Sequence, residues 1–76
     1  MRLLEEELTV KENLRIAAAF RGLNAKYAIR YTLKMLRYFR LKGFENMKAK
    51  YLSDAQKKKV SLAVALIGFP KILLID

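Results

Sequence analysis

The chain has 76 residues, with 16 Lys and Arg against 7 Asp and Glu for a net charge of +9, and it contains neither cysteine nor histidine. Those absences exclude disulfides, thiolate metal sites and imidazole general bases, leaving carboxylates, which favour Mg²⁺, as metal ligands. A chain this short buries only roughly 60% of its unfolded surface, so its core is marginal, and its charge suits nucleic acid, anionic lipid or a nucleotide.

The charge is uneven. Glu5, Glu6 and Glu7 make the start acidic, while residues 21–59 carry most of the cations. The start is charged and has no apolar h-region of a signal peptide. The longest apolar stretch, residues 60–69, is interrupted by Ser61. It is far short of the ~20 residues that span a bilayer, so no crossing by this chain itself is expected.

Thr9 and Glu12 form a T-x-x-E capping box, which predicts a helix start. Val10, Leu14, Ala17 and Ala18 make its apolar stripe, with Ile16 and Phe20 predicted to widen it. Gly22 is placed to take the left-handed conformation that stops the helix. Asn24 predicts the cap of a second helix running to about Arg40. Its apolar face is Ala28, Thr32, Met35, Leu36 and Phe39, at i, i+4, i+7, i+8 and i+11. Arg30, Lys34 and Arg37 lie on another face, as do Tyr31 and Tyr38. Gly43 breaks the pattern, and residues 44–50 are predicted to form a short helical turn.

Ser53 and Gln56 repeat the logic as S-x-x-Q, predicting a third long helix with Val60, Ala63, Val64 and Ile67 as its buried stripe. Gly68 and Pro70 are placed to end it. Ile72, Leu73, Leu74 and Ile75 form an apolar run without alternation, ending on Asp76. Such a run predicts a strand inside a parallel sheet covered on both faces. No second strand is legible, so the strand is expected to belong to a sheet that this chain does not supply.

The segment Leu52-Ser53-Asp54-Ala55-Gln56 carries the most chemistry. On its plain reading it is a capped helix start. The same geometry makes a phosphate site, because free N–H groups and the positive end of the helix dipole meet there. Ser53 adds a hydroxyl donor and Gln56 a polar arm. The run 57–59, three lysines, reads most simply as a solvated face.

Taken in order, Leu8-Thr9-Val10-Lys11-Glu12-Asn13-Leu14, then Leu52-Ser53-Asp54-Ala55-Gln56 with its lysines, then Gly68-Phe69-Pro70-Lys71-Ile72-Leu73-Leu74-Ile75-Asp76, the motifs resemble an ATP-binding cassette (ABC) ATPase. The resemblance covers essentially the whole chain. The basic run and Ser61-Leu62-Ala63 look most like the A subfamily, whose characterised members mainly move lipids. The implied fold is a mostly α fragment of an α/β P-loop NTPase domain, three helices plus one terminal buried-type β-strand. Residues 8–51 would be the helical subdomain, 52–68 the signature motif and helix, and 71–76 the Walker B strand.

The resemblance also implies a role for each site residue. The signature segment of one nucleotide-binding domain contacts the γ-phosphate of ATP held by the opposing domain. Ser53 would be the hydroxyl donor there, Gln56 a polar contact at the helix start, and Asp76 the carboxylate that holds Mg²⁺. Asp54 and Ala55 stand where the family has a Gly-Gly pair. A Cβ at Ala55 obstructs close approach of backbone to phosphate, and Asp54 repels an anion by roughly 3 kcal/mol at ~5 Å and an effective dielectric near 20. Lys57 and Lys58 are expected to offset much of that, leaving a weakened composite site.

The glycine-rich phosphate loop, G-x-x-x-x-G-K-[ST], has no match in the 76 residues. The expected parent couples ATP binding and hydrolysis to transport, working with an opposing nucleotide-binding domain and a transmembrane domain at the cytoplasmic face of a membrane. As a separate chain it is expected neither to hydrolyse ATP nor to bind it tightly. The alternative is a small basic helical module that binds nucleic acid or an anionic membrane surface through Arg30, Lys34 and Arg37 with their neighbouring tyrosines.

Overall fold

The computed structural model describes residues 3–68, which form three α-helices and a 3₁₀ turn. Helix α1 (Val10–Arg21) starts at the capping box read from the sequence. The Glu12 N–H donates to Thr9 Oγ1 at 3.1 Å, and the Thr9 N–H donates to Glu12 Oε1 at 2.9 Å. The bond from the Thr9 backbone holds the Glu12 carboxyl below its ordinary pKa. This part of the cap is therefore present above the ordinary carboxylate range and is lost as pH falls through the lowered value.

At the far end of α1, Gly22 sits at φ 86°. Its N–H donates to the Ala19 carbonyl and the Leu23 N–H to the Ala18 carbonyl, which satisfies two of the helix's last carbonyls in a Schellman motif. The inner stripe of α1 is narrower than the sequence suggests. Val10, Leu14, Ala17 and Ala18 are buried, but Ile16 is 55% and Phe20 73% exposed. Those two side chains lie on the side of α1 turned away from the other helices, so they do not widen the buried face.

Helix α2 (Ala25–Tyr38) is capped by Asn24, whose side chain accepts from the Tyr27 N–H. It stops two residues before the predicted end. Arg40 takes φ 56°, and the Leu41 N–H reaches back to the Leu36 carbonyl at 2.7 Å. This is a second Schellman closure, with arginine in the left-handed position that glycine usually fills. Leu41 is driven into the core by the turn and is 1% exposed. The stop thus precedes Gly43, the residue whose composition suggests it.

Helix α3 (Asp54–Gly68) buries Val60, Ala63, Val64 and Ile67 as predicted, and Ala65 beside them. Gly68 is the last residue described, still within α3, and Pro70 lies outside the described residues. α1 packs against both α2 and α3, so it is the central rod of the bundle.

The short helical turn expected within residues 44–50 is present only at the end of that range, where the 3₁₀ turn Ala49–Tyr51 begins. Before it, the Met47 N–H closes a turn on the Phe44 carbonyl, and the segment wraps the start of α1: the Val10 N–H donates to the Met47 carbonyl, the Lys11 N–H to the Glu45 carbonyl and the Ala49 N–H to the Leu8 carbonyl. An isolated antiparallel bridge pairs Thr9 with Lys48. The first N–H groups of a helix need outside acceptors, and this loop supplies two of them. The predicted strand, residues 72–75, lies outside the described residues. Within them the structure is helical with no strand beyond the isolated bridge.

One core position is strained in its polarity. Thr32 is buried, yet its Oγ1 has no hydrogen-bond partner among the described residues. A buried hydroxyl left unpaired costs about 1–3 kcal/mol. Thr32→Val keeps the shape and a similar helix propensity. It should raise stability by about 1 kcal/mol, read as a higher urea midpoint at unchanged slope. A drop of that size would mean that the hydroxyl is bonded.

Candidate functional site

The three residues before α3 set its position. Leu52 is buried and its N–H donates to the Ala49 carbonyl at 3.0 Å, which anchors the end of the 3₁₀ turn in the core. The chain then emerges: Ser53, Asp54 and Ala55 are exposed and Gln56 is half-buried. All four predicted residues are thereby gathered into one solvent-facing turn.

The capping box is closed in both directions. The Gln56 N–H donates to Ser53 Oγ at 3.1 Å, and the Ser53 N–H donates to Gln56 Oε1 at 2.9 Å. Both side-chain oxygens are acting as acceptors. What they leave over are donors: the hydroxyl hydrogen of Ser53 and the amide NH₂ of Gln56. The backbone N–H groups of Asp54 and Ala55, in the first turn, have no intrahelical acceptor. The turn is therefore rich in unengaged donors at the positive end of a 15-residue helix. This donor set fits an anion such as a phosphate.

Two features oppose that fit. The Asp54 side chain projects from the same turn, and the Cβ of Ala55 stands beside the exposed N–H groups. Neither strains the fold: left-handed φ values occur among the described residues only at Gly22, Arg40 and Gly43, so Asp54 and Ala55 sit comfortably in the helix. The departure from Gly-Gly thus bears on an incoming ligand and not on the backbone.

The lysines after the turn do not act as a uniform counter-charge. Lys57 reaches to Glu6 Oε1 at 2.6 Å, and its charge is largely answered by that carboxylate. Lys58 and Lys59 are exposed. The expected offset of Asp54 by Lys57 is accordingly reduced.

The acidic start of the chain is the brace that sequence reading missed. Glu7 takes Lys50 at 3.2 Å and Lys48 at 3.9 Å, and the Lys50 N–H donates to the Glu6 carbonyl. The hydrogen bond to Glu7 holds the Lys50 ammonium above its ordinary pKa. The whole segment is clamped to α1 by Asn13, a buried amide in the apolar stripe. Asn13 Oδ1 accepts from the Glu5 N–H at 2.7 Å, and Nδ2 donates to the Glu5 and Thr9 carbonyls, each at 2.9 Å. The signal was present: a polar residue at the i+3 position of a stripe whose other members are all apolar.

Asp76, the predicted metal ligand, lies outside the described residues. Within them, no group of three or more carboxylates is placed to hold a metal ion. No helix among them is long and apolar enough to cross a membrane.

Comparison with known proteins agrees with the order of motifs. A family model described as ABC transporter matches residues 2–76. The chain is 44% identical over 69 residues to the cholesterol transporter ABCA5 of Rattus norvegicus, and equally to that of Homo sapiens. It is 35% identical over the same length to ATP-binding cassette sub-family A member 10 of Homo sapiens. Each alignment covers 91% of this chain and 4% of the relative, so the chain spans a small part of those proteins' length. No solved structure matches. With a capped signature-like turn, a matching family profile along nearly every residue and A-subfamily members such as these among its relatives, the chain belongs to the ABC transporter family and is A-subfamily-like within it.

Proposed function

We propose that the chain forms part of the nucleotide-binding domain of an ABC transporter, and that the Ser53–Gln56 turn contacts ATP held by the opposing domain. Residues 8–51 serve as the helical subdomain, 52–68 as the signature motif and helix, and 71–76 as the Walker B strand. The observation that carries this reading is the closed capping box. It uses the oxygens of Ser53 and Gln56 internally and leaves their hydrogens, with two backbone N–H groups, to face solvent.

In the parent protein, ATP binding and hydrolysis are coupled to transport across a membrane, with lipid the cargo favoured by the ABCA5 relatives. ATP would bridge the two domains, and Asp76 would be the residue to hold a Mg²⁺ ion, whose charge would offset that of the phosphates. Ser53 and Gln56 donate to the terminal phosphate from the far side. Working partners are the opposing nucleotide-binding domain and the transmembrane domain, at the cytoplasmic face. The 76 residues contain no phosphate-loop motif, so as a separate chain they are inactive toward ATP.

Two substitutions at Ser53 test the reading in the complete nucleotide-binding domain. Ser53→Asp caps a helix as well as serine does but has no donor and adds an anion. Ser53→Ala removes both cap and donor. A hydrogen bond to a charged group contributes about 1.5–3 kcal/mol, so ATP-dependent dimerisation should weaken roughly 10- to 100-fold in both variants. Analytical ultracentrifugation with and without ATP reads this out. If Ser53→Asp dimerises like the parent, the turn is a helix cap and nothing more.

A further inference from the structure

The charge of this chain is concentrated away from the turn just described. From Asn13 to Phe44 there are eight Lys and Arg and not one Asp or Glu. Four of these cations, Lys26, Arg30, Lys34 and Arg37, lie on α2. At 3.6 residues per turn they share the face opposite the two buried residues of that helix, Thr32 and Leu36. Among the described residues none of the four makes an ion pair, whereas Lys48, Lys50 and Lys57 are all held by the acidic segment.

The flanks of this cationic ridge are apolar. On one side stand Tyr27 and Tyr38, 47% and 72% exposed. On the other stand Ile29 and Leu33, 49% and 56% exposed. Among the helices α2 packs chiefly against α1, on the side of Thr32 and Leu36, so its cationic side is turned from the bundle.

We propose that the outer face of α2 adsorbs to an anionic lipid leaflet, its four cations on headgroup phosphates and carboxylates and its tyrosine and aliphatic flanks in the interfacial layer. Charge complementarity identifies an anionic partner. The flanks choose among anions. Tyrosines can stack on bases, but Ile29 and Leu33 have no counterpart on a phosphate backbone and gain by entering the lipid interface. Tyrosine is at home at that depth, and long basic side chains extend past it to the headgroups. Each basic residue near such a surface strengthens binding roughly fivefold.

The molecule measures 24 Å across its shortest axis, about three Debye lengths at physiological salt. Cations on α3, beyond α1, are therefore largely screened from a leaflet under α2. That makes the inference separable from mere net charge. Arg30→Gln with Lys34→Gln, and Lys58→Gln with Lys59→Gln, each remove two exposed charges and leave the same net charge.

The experiment is co-sedimentation of the 76-residue chain at ~150 mM salt with vesicles of phosphatidylcholine alone or with added phosphatidylserine. Circular dichroism confirms that each variant keeps its helices. The unaltered chain should bind the phosphatidylserine vesicles at least tenfold more tightly than the neutral ones. The α2 double variant should lose on the order of 25-fold, the α3 double less than about threefold, and Leu33→Ser several-fold. Failure to bind anionic vesicles, which needs no variant, overturns the proposal. So do equal losses from the two double variants. Tighter binding to a mixed-sequence oligonucleotide than to vesicles, indifferent to Leu33→Ser, would assign the face to nucleic acid instead.

Discussion

Replacing Asn13 by leucine should lower the stability of the chain by about 1–3 kcal/mol, although leucine is apolar, similar in size and a better helix former. The side chain of Asn13 is 5% exposed and satisfies both polar groups of Glu5. Leucine would take the Asn13 acceptor from the Glu5 N–H and would leave the Glu5 C=O with the longer bond from the Leu8 N–H at 3.3 Å, a loss of about 1–3 kcal/mol where a group stays buried. The total available to 76 residues is only about 4–11 kcal/mol at 0.05–0.15 per residue. Asn13→Asp separates the two halves of the clamp. It keeps an acceptor for the Glu5 N–H but points a carboxylate at two carbonyls, so it should be worse than leucine at neutral pH. Urea melts give the free energies, and hydrogen exchange at the Glu5 amide gives the local effect. A change below about 0.5 kcal/mol with Glu5 still protected would mean that the segment is held by other contacts.

The effect should travel. Residues 5–8 carry Glu6 and Glu7, which hold Lys57 at the start of α3 and Lys50 in the 3₁₀ turn. Loosening the clamp therefore frees Lys57 beside the Ser53–Gln56 turn. A structural amide on α1 sets the charge around a turn that is remote from it in sequence.

Why one half of this could be read from sequence and the other could not follows from range. The capping boxes at Thr9 and Ser53, the Asn24 cap and the glycine stop at Gly22 depend on residues within four positions, and all are in place. The buried stripe of α3 is periodic and equally legible. The misses are long-range or conformational. Arg40 in the left-handed region leaves no mark in composition, because the closure is driven by burying Leu41. Ile16 and Phe20 look like core by hydropathy, but among the described residues their side of α1 is left largely open. The loop of residues 44–50 contains no periodicity, since its backbone is fixed by acceptors and donors near the start of α1. At the candidate site, sequence located the four residues of the turn. Only coordinates showed that their oxygens are engaged with each other and that Lys57 is committed to Glu6.

Restoring glycine at both signature positions should tighten ATP-driven dimerisation of the complete domain by tenfold or more. Asp54→Gly removes an anion that would face the terminal phosphate, a repulsion of roughly 3 kcal/mol at ~5 Å and an effective dielectric near 20. With Lys57 bound to Glu6 at 2.6 Å, Lys58 is left as the nearby counter-charge, one turn along α3, so only part of that is cancelled locally. Ala55→Gly removes the Cβ beside the free N–H groups and lets phosphate approach the backbone. Opposing both gains, two glycines cost a helix at most about 1–2 kcal/mol, and less in a first turn. The charge term wins. Asp54→Asn isolates it, keeping a side chain of the same shape, and should recover most of the gain at low salt and less at high salt. Ala55→Gly alone should give a smaller gain that salt does not change. These are read as the ATP-dependent dimer constant of a hydrolysis-deficient domain, with Ser53→Ala as the reference for loss. Should the double-glycine, Asp54→Asn and parent forms dimerise equally at low salt, no phosphate comes within reach of Asp54, and the turn does not read nucleotide.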